Sequence, residues 1–211
     1  KLLQTEQALR ALSARQEAIL AAVPEIIMEV DTNKVYTWAN SVGIEFFGPD
    51  VLGKEAAFYF EGQQDTYNKV GPLFQGSEEK IYVESWQRRR DGEIRLLAWW
   101  CRILKDASGK VRGSISSAYD ITEQRHAEDK FRHIFESSVT GISITLPSGE
   151  VDVNRAFASM LGYAAAELKN VTWQEISHPG DVEATRQAIQ PLLDGKAASA
   201  RFVKRYLHKN G

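Results

Sequence analysis

The sequence has 211 residues, of which 43% are hydrophobic and 26% charged, and its formal net charge at pH 7 is -2. These values are typical of a globular chain, exclude a disordered one, and give no reason to expect a nucleic-acid partner. The single cysteine, Cys101, excludes an internal disulfide and favours a reducing compartment, so we expect a cytoplasmic location. The longest apolar stretch, 18–30, is interrupted by Pro24, Glu25 and Glu29, which argues against membrane insertion by this chain.

The first predicted element is an amphipathic, coiled-coil-like helix over 1–23, which Pro24 ends. Its apolar residues recur at heptad-compatible spacing, at Leu2, Leu9, Leu12 and Ile19. A seam of this kind favours pairing of two identical helices, so we expect a homodimer.

The next hundred residues predict an α+β domain. Asn40 is a good N-cap for a short helix that Gly48 ends, and a helical middle segment follows as far as Leu73. The predicted strands are 26–31, 35–39, 81–88, 94–104 and 111–119. This order predicts a five-stranded antiparallel sheet with helices on one face.

The turn at Asp91-Gly92 decides which side chains of the sheet point inward. We interpret it as a two-residue hairpin, which places Trp86 opposite Leu97. Alternation then puts Trp99 and Ser116 on one face of the sheet. The other face carries Trp100, Val83, Ala98 and Ile115, and we take this more apolar face as the interior.

The second half of the chain repeats the first. Asn154 and Gly162 follow Asn40 and Gly48 by 114 positions. The same offset relates Met28 to Ile142 and Val30 to Ile144. Later matches are offset by 119 positions, which indicates a five-residue insertion in the second copy.

The repeat predicts two domains, over 14–122 and 130–211, joined by a linker helix over 123–136. The second copy stops where its last two strands should begin, so we expect it to expose an apolar face and an unpaired sheet edge. Since the first residue is Lys1, we also expect the chain to belong to a longer protein.

Three stretches resemble the motifs of PAS (sensory box) domains in bacterial signalling proteins. They are Asp120-Ile121-Thr122 after the last strand, Arg89-Arg90-Asp91-Gly92 at the hairpin, and Asn154-Arg155-Ala156-Phe157 with Leu161-Gly162-Tyr163 in the second copy. The resemblance implies a tandem PAS sensory region that relays a signal through helices to a C-terminal output domain in cis. A histidine kinase of a two-component phosphorelay or a GGDEF-type cyclase is the common output. It also implies a signal-relay role for Asp120, Ile121 and Thr122.

Two functions are compatible with this reading. In the first, a small-molecule, redox or cofactor-borne signal is detected in a pocket for which the candidate residues are Asn40, Phe47, Trp100, Ile115 and Ser117. In the second, the domains are ligand-free scaffolds for dimerisation and protein–protein interaction. The sequence requires no cofactor and offers no metal site; a flavin stacked on an interior tryptophan is a minor alternative, and haem has less support.

Neither the nucleophiles nor the histidines predict catalysis. Cys101 lies in a predicted strand without an assured activating group, so we interpret it as an inert thiol. His178 precedes a proline in a loop, while His126 and His133 lie on the linker helix outside the context of a kinase phosphoacceptor. Because no acid–base pair or phosphate loop is present, we expect any enzymatic activity to lie outside this chain.

Overall fold

A computed structural model describes residues 2–62, 64–146 and 148–211, and the chain divides into two compact units, 1–126 and 127–211. The helices are α1 (Leu2–Ala22), α2 (Ser41–Phe47), α3 (Thr66–Gln75), α4 (Thr122–Ser137), α5 (Arg155–Met160) and α6 (Val182–Leu193). The strands are β1 (Ile26–Asp31), β2 (Tyr36–Ala39), β3 (Lys80–Arg88), β4 (Ile94–Lys105), β5 (Val111–Asp120), β6 (Ser143–Thr145) and β7 (Val151–Val153). Within the described ranges, no helix is long and apolar enough to cross a membrane.

The first unit is built on one antiparallel sheet with the strand order β2-β1-β5-β4-β3. One face of this sheet packs against α2 and α3 and forms the core. The buried core includes Ile26, Met28, Tyr36, Phe47, Val51, Tyr59, Val83, Leu97 and Trp99. This arrangement confirms the predicted α+β class and the five-stranded sheet with helices on one face.

Each edge of this sheet is hydrogen-bonded in part by another segment of the same unit. The outer edge of β3 is bonded by the side chain of Gln64, which accepts from the Trp86 amide (2.9 Å) and donates to the Trp86 carbonyl (2.6 Å). At the opposite edge, Tyr36 of β2 donates its N–H to the Lys54 carbonyl (2.9 Å) and accepts from the Gly53 N–H (2.8 Å). Trp86 on one edge and Tyr36 on the other are therefore not free to pair with another strand.

The β3–β4 hairpin differs from its predicted form by one residue. Its loop has three residues, 90–92, because Arg89 donates its backbone N–H to the carbonyl of Glu93 (2.8 Å). The last loop residue is a glycine with a φ of 87°, the conformation that lets a three-residue loop rejoin the ladder. Trp86 consequently pairs with Leu96 and not with its predicted partner.

This shift of one residue exchanges the two faces of β3 relative to β4, because side chains alternate along a strand. Val83 pairs with Trp99, and both lie in the core. Trp99 is only 5% exposed, whereas Trp100 is 48% exposed on the outer face together with Ile115 and Ser117. The predicted interior position of Trp100 was therefore wrong.

The second unit repeats the beginning of the first, with α5, α6 and the pair β6–β7 around its own core. Asn154 donates its backbone N–H to the Ile142 carbonyl (3.0 Å), and Asn40 donates to the Ile27 carbonyl (3.0 Å). Ile142 is thus the equivalent of Ile27, and the predicted match to Met28 was wrong by one residue. The cause is a bulge in the β1–β2 ladder between Glu29 and Val30, which the β6–β7 ladder does not have.

The last part of the second unit is poorly covered by apolar packing. Residues 201–207 make one isolated bridge, between Tyr206 and Ser177, and Val203 is fully exposed.

Candidate functional site

A cavity of about 70 Å³ lies in the first unit between the inner face of the sheet and α3. Its lining is mainly apolar and aromatic. The lining residues include Met28, Val30, Tyr36, Ala56, Phe60, Val70, Phe74 and Val83. Because these side chains come from β1, β2, β3, the segment before α3 and α3 itself, the cavity is a product of the whole fold.

Two residues that line this cavity, Gln87 on β3 and Trp99 on β4, each carry a buried polar atom without a hydrogen-bond partner. The Oε1 of Gln87 accepts no hydrogen bond, while its Nε2 donates to the Ser85 hydroxyl (3.2 Å). The indole Nε1–H of Trp99 likewise has no acceptor. Gln87 is 2% exposed, so water at the surface does not satisfy its carbonyl oxygen. A buried amide or indole without a partner is costly, and such groups are uncommon in folded proteins.

Of the described residues that line the cavity, one is a cation, Lys34. The Lys34 ammonium lies over the rings of Tyr67 (5.1 Å to the ring centroid) and Phe74 (5.0 Å). The Tyr67 hydroxyl donates to Glu55 (2.8 Å) and accepts from the Ala57 amide (3.1 Å). Burial and the neighbouring Glu55 carboxylate raise the pKa of Tyr67 above its usual range. Tyr67 is therefore neutral at ordinary pH, and the aromatic rings partly compensate the lysine charge.

Cys101 lies at the same cavity with its side chain largely buried. Burial raises the pKa of its thiol, and a hydrogen bond with Ser116 opposes this only partly. A thiol that stays protonated is a poor nucleophile, because the thiolate is the reactive form. The structure thus agrees with an inert role for Cys101.

We expect the Cys101 thiol of the native protein to react with a maleimide at least about tenfold more slowly than the thiol of the unfolded chain at pH 8. The raised pKa reduces the thiolate fraction at this pH, and the protein envelope limits access. The rate in native protein should keep rising with pH above the range in which the unfolded thiol has reached its maximum. Equal rates for native and guanidinium-unfolded protein would contradict the buried position.

The cavity as formed does not fit a flavin or a haem. Pockets for ligands of drug size are about 300–1,000 Å³, several times larger than this one. Within the described ranges, none of the four histidines lines the cavity, and no group of acidic, histidine or cysteine side chains could hold a metal ion. Its size fits a ligand with few atoms.

None of the five candidate pocket residues lines this cavity. Asn40 caps α2, accepting from the Gly43 amide (2.9 Å), and Phe47 packs in the core beside Trp99 with ring centroids 6.4 Å apart. Trp100, Ile115 and Ser117 lie on the outer face of the sheet. Our sequence analysis did not assign Gln87 and Trp99 to the cavity. Side-chain alternation along β3, counted from a three-residue loop, would have placed both residues on one face of the sheet.

The start of α4 is held against the end of the sheet by the predicted relay motif. Asp120 accepts from the Thr122 amide (2.9 Å) and from its hydroxyl (2.5 Å). The Thr122 oxygen in turn accepts from the Leu96 amide (2.8 Å), and the Ile121 amide donates to the Leu96 carbonyl (2.9 Å). The first turn of α4 is thus bonded directly to β4.

Contacts with β3 extend this attachment by one helical turn. Arg125 donates to a Glu84 carboxylate oxygen (2.6 Å), and the other oxygen of Glu84 accepts from the Tyr82 hydroxyl (2.8 Å). The Tyr82 hydrogen bond, assisted by Arg125, holds the pKa of Glu84 below its usual value, so this carboxylate stays charged at neutral pH. His126 stacks on Trp86 with ring centroids 6.3 Å apart.

Replacing Thr122 by valine should loosen α4 from the sheet and lower the stability of the first unit by about 1–2 kcal/mol. The substitution removes the acceptor of the buried Leu96 amide and the donor to Asp120 while keeping the side-chain shape. Hydrogen exchange resolved by peptide should show faster exchange at residues 120–127. Thr122→Ser keeps the hydroxyl and serves as the control; equal exchange in both variants would contradict the role of this bond.

His178, in the loop before α6, has a structural role in the second unit. The Nδ1 of His178 accepts from the Gly180 amide (3.1 Å), and its backbone N–H donates to the Arg205 carbonyl (2.9 Å). The side chain of Arg205 is paired with Asp181 (2.6 Å) and holds the pKa of that carboxyl well below its usual value. These bonds fix the loop before α6.

Two family models match the chain. A model described as "PAS domain" matches residues 14–79, and one described as "PAS fold" matches residues 150–211. Together with the sheet topology and the repeated cap, these matches show that the chain belongs to the PAS family, with two PAS domains in tandem. PAS domains are sensory domains of signalling proteins.

Curated relatives share parts of this sequence. A probable diguanylate cyclase of Escherichia coli (strain K12), DgcE, is 30% identical over 93 residues, which are 42% of this chain and 8% of that protein. An uncharacterized protein of Sinorhizobium fredii is 26% identical over 200 residues, which are 88% of this chain and 24% of that protein. The chain thus spans less than a quarter of the length of either relative.

Solved structures show the same fold at low identity. An RNA-binding light-oxygen-voltage receptor has a TM-score of 0.50 and 15% identity, covering 58% of this chain and 37% of that chain. The PAS domain of an HTR-like protein from Haloarcula marismortui has a TM-score of 0.47 and 20% identity, covering 56% of this chain and 98% of that chain. At such identity the likeness concerns the fold alone.

Proposed function

We propose that this chain is the sensory and dimerisation region of a bacterial signalling protein. It detects a small molecule in the cavity of the first unit and relays the change through α4 toward a C-terminal output domain. The observation that carries this proposal is that the same two strands line the cavity on one face and hold α4 on the other. The chain itself supplies no catalytic step.

Alternation along β3 and β4 provides the path of the signal. Val83 and Trp99 line the cavity, while Glu84 and Ala98 are next to them and face outward. Glu84 holds Arg125, so a change in the spacing of β3 and β4 at the cavity alters the attachment of α4. A ligand can shift such an equilibrium only by binding one arrangement better than the other.

The helices supply the apolar surface for a homodimer. On α1, Leu12 and Ile19 are seven residues apart and are each 55% exposed. On α4, the side chains of Phe131 and Ile134 are exposed as well. A parallel pair of such helices buries these residues and transmits rotation or translation along the chain. The predicted positions Leu2 and Leu9 of the same seam lie outside the side chains that the structure describes.

The relatives support a signalling regulator with its output domain in the same polypeptide, because the chain spans less than a quarter of the length of either. The match to a probable diguanylate cyclase favours a cyclase output, and a histidine kinase of a two-component system is the other candidate. The Asp120-Ile121-Thr122 motif then forms the first part of the relay. The domain limits of 14–122 and 130–211, with the linker helix between them, are part of this proposal.

A ligand-free scaffold is the second candidate, and one observation favours it. The outer face of the first sheet exposes Tyr82, Trp100 and Tyr119, with the rings of Tyr82 and Trp100 5.0 Å apart. Exposed aromatic side chains of this kind are enriched where proteins bind one another. In this alternative the cavity stays empty and recognition takes place on the outer face.

Two measurements on the freshly purified protein separate these functions. Native mass spectrometry, with an ultraviolet-visible spectrum, is expected to show a dimer that carries an extractable small molecule. Hydrogen exchange at residues 120–127 should change when that molecule is removed and recover when it is restored. A dimer without any bound molecule, whose exchange no extract alters, would favour the scaffold; a strict monomer would rule out both.

A further inference from the structure

The lysine on the lining of the cavity indicates the charge of the ligand. This inference rests on the proposed function, since it concerns the same cavity. Lys34, Tyr67 and Phe74 are partly exposed, whereas Met28 and Val83, which line the same cavity, are buried. The Lys34 ammonium, 5.1 Å from the Tyr67 ring centroid and 5.0 Å from that of Phe74, therefore lies where the cavity meets the solvent.

No carboxylate pairs with Lys34 in the part of the chain that the structure describes. The described lining residues include neither aspartate nor glutamate. The Glu55 carboxylate accepts from the Tyr67 hydroxyl (2.8 Å), and the Oδ1 of Asp31 accepts from two amides of its own turn. Because aromatic rings compensate only part of a lysine charge, an anion beside Lys34 gains a favourable interaction.

The backbone fixes the position of this lysine. Its N–H donates to the Asp31 carbonyl (3.0 Å), and its own carbonyl accepts from the Ala56 amide (2.9 Å). The φ of Lys34 is 65°, a left-handed conformation that glycine and asparagine adopt at lower cost. The turn itself therefore does not require a lysine, and what the residue adds is a cation beside the cavity.

The rest of the lining and the volume limit the body of the ligand. A single water molecule needs about 10–15 Å³ by the same measure, so a cavity of about 70 Å³ has room for about six non-hydrogen atoms. The interior is mainly apolar, which favours an aliphatic chain there and places the polar group of the ligand at the solvent side. One lysine balances one negative charge, so a monoanion matches the site better than a phosphate dianion.

We propose that the first unit binds a short aliphatic monocarboxylate in this cavity. The carboxylate of the ligand pairs with the Lys34 ammonium at the solvent side, and its alkyl chain packs inside against Met28, Val70 and Val83. Lys34 is the residue that determines specificity for the negative charge.

Three probes separate the contributions of charge and chain. Pentanoate carries both features, pentanamide has nearly the same shape without the charge, and acetate has the charge without the chain. Each is titrated at pH 7 into the chain labelled at its methionine methyl groups, while nuclear magnetic resonance follows the signals of Met28 and Met160. Met28 lines the cavity, whereas Met160 is 56% exposed in the second unit and serves as the internal reference. Met160→Leu assigns the two signals.

Pentanoate is expected to move the Met28 signal and leave the Met160 signal unchanged. It should bind about fivefold more tightly than pentanamide, as expected for an ion pair at a partly exposed lysine. Acetate should bind at least about tenfold more weakly than pentanoate, because it lacks three methylene groups that the apolar lining would bury.

Variants at Lys34 test the role of its charge. Lys34→Met keeps an unbranched side chain of similar length and should abolish the preference for pentanoate over pentanamide, while Lys34→Arg should keep it. Lys54→Met is the matched control, since Lys54 also lies over an aromatic ring, that of Phe58 (4.6 Å to the centroid), but does not line this cavity. This control should bind all three probes as the native chain does.

Two kinds of result would overturn the proposal. If pentanamide or acetate binds as tightly as pentanoate, or if Lys34→Met retains the preference for pentanoate, then Lys34 and the cavity do not together select a monocarboxylate. The ligand-sensing function survives that result as long as a probe moves the Met28 signal. If no probe moves the Met28 signal, both this inference and the ligand-sensing function fail, so the two failures are distinguishable.

Discussion

Gly113→Ala is expected to destabilise the first unit by about 3 kcal/mol. Gly113 pairs with Asp31 at the end of the β1–β5 ladder. A methyl group at this position would lie 2.0 Å from the carbonyl oxygen of Val30 and 3.1 Å from the Cα of Asp31. Because the obstructing atoms are backbone atoms, the clash can be relieved only by separating β1 from β5.

Chemical denaturation monitored by tryptophan fluorescence measures this effect, since Trp99 and Trp38 lie in the first unit. Gly71→Ala is the matched control. An alanine side chain at 71 meets no atom within 4 Å, and the position lies inside α3. This control should be neutral or stabilising by about 0.5–1 kcal/mol, because alanine favours the helix. A midpoint for Gly113→Ala equal to that of the control would contradict the close approach of the two strands.

Replacing either capping asparagine, Asn40 or Asn154, by alanine should destabilise the unit that contains it, by a similar free energy in each case. Asn40 accepts from the amides of Ile27 (3.0 Å) and Gly43 (2.9 Å) and donates to the carbonyl of Glu25 (2.8 Å). Alanine removes all three bonds at a site that is 3% exposed. The loss of a cap costs about 1 kcal/mol, and the buried groups left without partners add to it, so we expect about 2–4 kcal/mol.

Asn154 makes three equivalent bonds in the second unit and one more, to Phe135. It accepts from the amides of Ile142 and Phe157 (both 2.9 Å) and donates to the carbonyls of Phe135 (2.9 Å) and Thr140 (3.0 Å). Hydrogen exchange resolved by peptide should therefore show Asn40→Ala destabilising residues 25–47 and Asn154→Ala destabilising residues 135–160.

The control for this pair is Asn33→Ala, an asparagine at an exposed turn position. Its exchange should match that of the native protein. If either capping variant behaved like this control, the asparagine would be only a surface cap and not the tether of the preceding strand.

The order of helices and strands in the first unit could be predicted from the sequence, because each of these elements depends on signals that are local in sequence. As predicted, α2 begins directly after Asn40 and ends directly before Gly48. The asparagine accepts from the Gly43 amide, and the glycine, with a φ of 105°, donates to the Ile44 carbonyl (2.9 Å). The period of two along β4 and β5 also placed Trp99 on the same face as Ser116. These features depend on neighbours that are close in sequence.

The interior face could not be predicted from the same signals. Asp91-Gly92 is compatible with loops of two or three residues, and the choice inverts β3 relative to β4. Arg90 decides it here, because its amide donates to the Phe46 carbonyl (2.9 Å), a contact with α2 that is distant in sequence. Because the wrong face was taken as the interior, Trp100 was predicted to line the pocket instead of Trp99, and Gln87 was not predicted to line it.

The second copy could not be aligned correctly for a related reason. A bulge adds one residue to the β1–β2 ladder and is absent from β6–β7. A constant offset therefore matches Met28 with Ile142, whereas the hydrogen bonds show that Ile27 is the residue equivalent to Ile142. Bulges leave little trace in composition or period, so strand equivalence in repeats has to be taken from hydrogen bonding.

The bonds that the side-chain amide of Gln64 and the loop around Lys54 make at the sheet edges affect strand exchange in a chain that carries two similar domains. Neighbouring copies of one fold can exchange strands during folding, because their sheets accept each other's edges. In the first unit each edge is bonded within the domain at one position, Trp86 of β3 by Gln64 and Tyr36 of β2 by Gly53 and Lys54. A nascent neighbour therefore cannot pair at Trp86 or at Tyr36, and these internal bonds limit the exchange of strands between duplicated domains at those positions.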